Sequence, residues 1–457
     1  MELSEYKHIY FLGIGGIGMS AIANYVLQTG MRVSGYDRQS STITEQLKMQ
    51  GADIHFEDDP KLIKGDPDLV IYTPAIKEGA IKNYFEEKKT PMVKRSEVLG
   101  WLTKSVDTIA VGGTHGKTTT SSMISYLLKE CGIKHTAMLG GVAANYDSNF
   151  ISESSQLMVV EADEYDRSFH RLFPKWVILT AMDADHLDIY GTHEEMIDGY
   201  RQFLKQIQPG GFLLYRYDLL PLIGREVIDE LDANNIETYS FGIDDGHYHT
   251  SELRVKDGIW HWDLMTPWGS ISELALSMPG RHNVMNATAA CAIVLKMCND
   301  EKAMVEALAG FKGVSRRFEK RYQDNEHVFI DDYAHHPEEL RAAITAAKET
   351  YGGEVTGIFQ PHLYSRTRDL ADEFAEALDL LDVPVIIDIY PAREKPIEGV
   401  SSQTIFDRMK NPAKKYLKGD DWISWVIEKK PKVLITLGAG DLDKHIPELI
   451  GKLYKNE

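Results

Sequence analysis

Gly112-Gly-Thr-His-Gly-Lys-Thr-Thr-Thr120 is the stretch on which the reading of this chain turns. A Walker A loop has the form G-x-x-x-x-G-K-[ST], and counting back from Gly116 puts Val111 where its first glycine belongs. The flanks nevertheless suit a phosphate loop. Thr108-Ile-Ala-Val111 reads as a buried strand and Lys117 onward as a helix. A lysine in the first turn of a helix opposes the helix dipole unless an anion is bound there, so a threonine-capped turn alone does not account for Lys117. Lys117 can reach terminal phosphates and Thr118 can ligate Mg²⁺. The loop residues Gly113, Thr114, His115, Gly116, Lys117, Thr118 and Thr119 are therefore expected to bind ATP with Mg²⁺.

A second glycine loop lies upstream, Gly13-Ile-Gly-Gly-Ile-Gly18, between the apolar run His8–Leu12 and a helical pattern that begins Met19-Ser-Ala-Ile. Glycines in that setting let the backbone approach a diphosphate at a helix N-terminus. Asp37, about 20 residues on, stands where an acid meets a ribose in dinucleotide sites. One chain thus carries two candidate nucleotide loops.

Outward from the loops, short β-branched runs alternate with helical patterns, which predicts mostly parallel α/β sheets. The runs at 32–36, 68–72, 157–160, 176–179, 327–331, 354–359, 384–389 and 432–436 read as further strands, and Asn283–Met297 as a helix. Residues 237–277 change to aromatic-rich alternation and read as an antiparallel addition to the edge of the second sheet. The expected architecture is α/β in three domains: a Rossmann-like unit over 1–105, a central P-loop-type ATPase unit over 106–314 and a Rossmann-like unit over 315–457. The length of 457 residues suits about three cores.

The net charge of −19 repels nucleic acid and anionic lipid, so neither is an expected partner. Three cysteines without a C-x-x-C pair suit a reducing compartment. No apolar run has membrane-spanning length, and the N-terminus does not read as a signal peptide, so a cytoplasmic protein is expected.

Two acidic clusters follow predicted strands, Glu161-Ala-Asp-Glu-Tyr-Asp166 and Asp183-Ala-Asp-His-Leu-Asp188. Carboxylates and an imidazole at strand ends beside a phosphate loop are what a magnesium-nucleotide site needs. With the shortened loop Gly113-Thr-His-Gly-Lys-Thr118 and the segment Arg281-His-Asn-Val-Met-Asn286, these clusters resemble the Mur ligase family, ATP-dependent amide-forming enzymes of peptidoglycan precursor synthesis. The resemblance covers essentially the whole chain. It implies Glu161 and His186, with Thr118, as Mg²⁺ ligands. It places His282, Asn283 and Asn286 beside ATP, and Arg317 of the Arg316-Arg317 pair at the phosphates. His186 and Arg317 join Lys117 as candidate catalytic residues.

Within the family, Asp331-Asp-Tyr-Ala-His-His-Pro337 and Phe359-Gln-Pro-His-Leu-Tyr-Ser-Arg-Thr-Arg368 are similar to the members that add L-alanine to UDP-N-acetylmuramate. That resemblance implies Tyr333, His362 and Arg366 around the alanine, and Asp332 and His335 near the nucleotide. The first loop then takes the UDP-sugar, through Gly13, Gly15, Gly16, Gly18, Met19, Ser20, Asp37 and Thr73. The implied reaction passes through an acyl phosphate, and the domain boundaries are the expected hinges of a closing cleft. In one departure, Leu363 stands where these relatives more often have an arginine. Rival readings are a family member that attaches a preformed tripeptide to the same sugar nucleotide, and an NAD(P)-dependent dehydrogenase. The expected assembly is a monomer or homodimer.

Overall fold

The computed structural model describes residues 3–153, 155–185, 187–392 and 394–454. The chain folds into two compact units. One comprises Met1–Ser251, Asp263–Leu274 and Asn286–Leu308; the other comprises Glu252–Trp262, Ala275–Met285 and Ala309–Glu457.

The first unit holds two sheets. In the N-terminal one, five parallel strands run in the order Asp53–His55, Arg32–Tyr36, His8–Leu12, Leu69–Tyr72, Met92–Lys94. His8–Leu12 is buried at every position, as a central strand covered on both faces must be. The seven-stranded sheet has the order Glu237–Phe241, Phe212–Arg216, Trp176–Leu179, Asp107–Gly112, Leu157–Ala162, Thr136–Ala143, Ser148–Ser152. Only Ser148–Ser152 pairs antiparallel, with Thr136–Ala143. Asp107–Gly112 is central, and Gly112 pairs with Leu179 on one side and Ala162 on the other. Three strands therefore end flush, and the loop after Gly112 emerges at their carboxyl edge, where open α/β sheets bind ligands. Beneath it, Phe203 stacks on Phe169 with ring centroids 5.0 Å apart, both fully buried.

The aromatic stretch departs from expectation. Glu237–Phe241 does join the seven-stranded sheet, as a parallel edge strand. His249–Lys256, Ile259–Thr266 and Gly269–Leu276 instead form a separate three-stranded sheet in sequential order. The alternation reports the buried face, since Trp260, Trp262 and Leu264 are all buried, and leaves open which strand edge is shared.

In the second unit six strands are ordered Glu319–Gln323, Val328–Asp332, Val433–Leu437, Val355–Phe359, Val383–Ile386, Lys415–Tyr416. Only the first pairs antiparallel. The helix Pro337–Tyr351 follows Val328–Asp332. It starts sharply because Pro337 sits in its first turn and His336 and Glu339 form a reciprocal cap. That start holds 333–336 in a short loop at the strand end. Among the described residues no helix is long and apolar enough to cross a membrane.

Candidate active site

The loop 113–116 lies between Asp107–Gly112 and the helix Lys117–Glu130, which has no side-chain cap at its N-terminus. Its first N–H groups and the positive end of its dipole are what a phosphate recognises. Thr180 braces the loop: its backbone N–H and hydroxyl donate to Gly112 O at 3.0 and 3.1 Å, and the hydroxyl also donates to His115 O. Thr114 exchanges hydrogen bonds with Asp183 (3.1 and 3.4 Å), and His115 Nε2 lies 3.8 Å from the Asp183 carboxylate. Asn286 lies against Gly116, its Oδ1 2.8 Å from where a Cβ there would stand.

Lys117 turns back over the loop. Its Nζ donates to Gly113 O at 2.6 Å and to both Glu164 oxygens at 2.9 and 2.7 Å. Glu164 is only 2% exposed, so this is a buried ion pair. Burial opposes the lysine charge, but Glu164, with Asp163 and Glu161, outweighs it and raises the ammonium pKa. Lys117 is held cationic, as a phosphate ligand must be. Glu161 accepts hydrogen bonds from Thr118 Oγ1 (3.2 Å), Ser121 Oγ (3.3 Å) and Gly140 N (2.6 Å). A carboxylate and a threonine hydroxyl side by side at a phosphate loop are hard oxygen donors suited to Mg²⁺, which takes few protein ligands. Among the described residues no set of three His, Cys, Asp or Glu converges on a metal position. His186, the remaining candidate ligand, lies outside the described residues.

At the first glycine loop, Gly13 N and Ile14 N donate to Tyr36 O. Asp37 accepts from Gly15 N at 2.8 Å, so its carboxylate shapes the loop itself. Thr73 stands beside Gly13. Met19 and Ser20 are buried. The Ser20 hydroxyl donates to Ile17 O and receives Asn149 Nδ2 at 3.1 Å. At these two positions the side chains turn into the protein.

In the second unit the two candidate arginines divide. Arg316 is clamped by Asp331 (3.3 Å), Asp443 (3.2 Å), Gly438 O (2.8 Å) and Gly440 O (3.0 Å). Arg317 lies 3.7 Å from Glu339 and 5.1 Å over the Tyr333 ring. Asp332 accepts from Phe318 N and Ala334 N, both at 2.7 Å. Burial pushes its carboxyl up to about 7 against the pull of Arg317 and those donors. The rings of Tyr333 and His335 are 5.3 Å apart, and those of His335 and His362 6.0 Å. Three predicted residues thus converge, with Tyr390 stacked on His362 as a fourth that the sequence did not single out. Arg366 acts electrostatically on His335. Leu363 has φ +73 and caps the helix Tyr364–Asp369. His282 and Asn283 open the helix Arg281–Val294, and Asn283 Nδ2 donates to Pro279 O at 2.7 Å.

Family models match three successive segments: the Mur ligase family catalytic domain over 8–106, the Mur ligase middle domain over 111–294 and the Mur ligase glutamate ligase domain over 316–439. The chain belongs to the Mur ligase family. A UDP-N-acetylmuramate–L-alanine ligase of Phocaeicola vulgatus is 42% identical over 466 residues, covering 100% of both chains. Among solved structures, the UDP-N-acetylmuramate-alanine ligase of Thermotoga maritima is 27% identical, with a TM-score of 0.82 over 99% of this chain and 100% of that one. A murein peptide ligase of Psychrobacter arcticus shares the fold at 22% identity and a TM-score of 0.72, covering 98% of each chain.

In this Mur ligase the sequence reading omitted Glu164 and Ser121. Glu164 had a signal, since it lies in the acidic cluster after a strand, but nothing local says which acid meets Lys117. The two arginines separate experimentally. Arg316→Ala strands Asp331, 1% exposed, and is expected to lower stability by about 3 kcal/mol or more in denaturant unfolding. Arg317→Ala should leave stability within about 1 kcal/mol while lowering turnover.

Burial holds both His282 and His335 down to about 4. Their folded pKa values lie below the unfolded value near 6.5, so the unfolded chain takes up protons first on acidification. The stability they leave intact above about pH 6.5 is lost as the pH falls towards 4. Between pH 7 and pH 5 each histidine is expected to remove about 2 kcal/mol of stability, while Asp332, whose raised carboxyl takes up a proton in the fold over the same range, offsets part of that loss. His335→Gln should change the pH 7 to pH 5 difference by about 2 kcal/mol; an unchanged difference would mean that His335 is protonated in the fold.

Proposed function

We propose that this chain joins L-alanine to the lactyl carboxylate of UDP-N-acetylmuramate, using ATP and releasing ADP and phosphate. The observation that carries the reading is the buried Lys117–Glu164 pair on a shortened phosphate loop, in a chain that aligns end to end with alanine ligases. The sugar-acid carboxylate attacks the γ-phosphorus of ATP, forming an acyl phosphate and ADP. The alanine amine then attacks the acyl carbon, and the tetrahedral intermediate expels phosphate and leaves an amide. Phosphoryl transfer depends mainly on positioning and charge neutralisation, and Lys117, with Arg317, supplies cations for it.

Thr118, Glu161 and His186 would hold Mg²⁺, which neutralises phosphate charge when bound. The N–H groups of 113–119 cradle the phosphates, with Asn286 beside them; His282, Asn283, Asp332 and His335 are the further ATP contacts that the family resemblance implies. Gly13, Gly15, Gly16 and Gly18 present backbone to the UDP diphosphate, with Asp37 and Thr73 beside them. Tyr333, His362 and Arg366 take the amino acid. The alternative substrate, a preformed tripeptide, is decided in one assay. The protein is incubated with ATP, Mg²⁺ and UDP-N-acetylmuramate, alanine or tripeptide is added, and the product mass is read. An alanyl product with stoichiometric phosphate is expected; phosphate release with tripeptide and none with alanine would overturn the assignment.

A further inference from the structure

The acidic segment after Leu157–Ala162 meets three cations. Glu164 pairs with Lys117, Asp166 with Lys94 at 3.0 Å, and Asp163 with Arg95 Nη2 at 3.2 Å. Asp166 and Arg167 both adopt left-handed backbone (φ 53), a conformation that costs non-glycine residues free energy and persists where surrounding contacts enforce it. Arg95 opens the helix Arg95–Ser105 that follows the last strand of the N-terminal sheet. Its guanidinium lies directly on the first glycine loop's helix: a Cβ at Gly18 would stand 2.7 Å from Nη1. Gly18 is therefore required by the arginine as well as by any phosphate.

Arg95 also lines a shallow recess open to solvent, with Ser96, Glu161, Asp163 and Ser168. Among the described residues that line it, Arg95 is the single cation, facing two carboxylates. The guanidinium touches the first glycine loop at one end, and the recess reaches Glu161, the candidate metal carboxylate, at the other. We infer that Arg95 binds the lactyl carboxylate of the sugar nucleotide, exchanging its ion pair with Asp163 for the substrate and positioning that carboxylate beside Glu161. This rests on the function proposed above. The chemistry suits the task, since a planar guanidinium orients a carboxylate through two parallel hydrogen bonds.

Two sugar nucleotides test it by calorimetry: UDP-N-acetylmuramate, and UDP-N-acetylglucosamine, which lacks the lactyl group. For Arg95→Ala the expected result is a loss of at least about tenfold in affinity for the first, with the second within about twofold and an unchanged Tm. Arg95→Lys, which keeps the charge but not the planar fork, should recover part of the loss. Equal losses for both nucleotides would assign Arg95 to the diphosphate or to folding and overturn the inference, as would undiminished selectivity. Wild-type ligation of alanine, run alongside, keeps the two questions apart. If wild type makes no alanyl product the proposed function fails; if it does and Arg95→Ala retains selectivity, only the role of Arg95 fails.

Discussion

Lys117→Ala is expected to lower kcat/KM for ligation by about 10³-fold, the loss typical of removing a preorganised charge-stabilising donor at a reacting centre. It should also destabilise the protein. Glu164, 2% exposed, then loses the ammonium that compensates its burial, and breaking a buried pair from one side costs about 3–5 kcal/mol. The two effects separate in the double variant Lys117→Met, Glu164→Gln, which removes both charges. Stability should return towards wild type while ligation stays lost, read as urea unfolding alongside product mass. Recovery of ligation in the double variant would show that the lysine serves the fold and not the phosphate. Full stability of Lys117→Ala would mean that the buried pair contributes little.

Gly113→Ala is expected to raise the KM for ATP by about 10²-fold, the scale of a loop misplaced by about 1 Å. Gly113 has φ +134, a conformation that L side chains rarely adopt. A Cβ there would overlap the Thr180 hydroxyl oxygen and lie 2.7 Å from Ala181 N. Thr180 is the residue that braces the loop from the neighbouring strand end, so relief of the overlap moves the phosphate cradle itself. Affinity for UDP-N-acetylmuramate, measured by calorimetry, should change little. An ATP affinity within about threefold of wild type would show that the loop tolerates the displacement and that the tight fit is incidental.

The central strands and both glycine loops were legible in the sequence because their signals are local. Trp176–Leu179 and His8–Leu12 are continuous apolar runs bounded by turn residues, and both form at the expected positions. Less legible was the hairpin Thr136–Ala143 with Ser148–Ser152. Its interior Gly140-Gly141 weakens strand propensity, and its pairing shifts register between Met138 and Ala143. The aromatic alternation over 237–277 was read as an addition to the edge of the second sheet, whereas 249–276 forms a sheet of its own, because alternation reports which face is buried and not which strand edge is shared.

The sequence by itself determined the parallel α/β class, the phosphate loop with its lysine, and a family resemblance that runs from the first glycine loop to Arg368. These rest on glycine spacing, hydrophobic period and helix polarity, each of which acts over a few residues. Tertiary structure alone decided which acid faces which base. Lys117 meets Glu164 47 positions away, and Arg95 meets Asp163 68 positions away. It also separated Arg316, locked between Asp331 and two backbone carbonyls, from Arg317, which faces Glu339. Neighbouring charges are equivalent in a sequence; the desolvation each undergoes, and the partner that compensates it, exist only once the strands carrying them lie side by side.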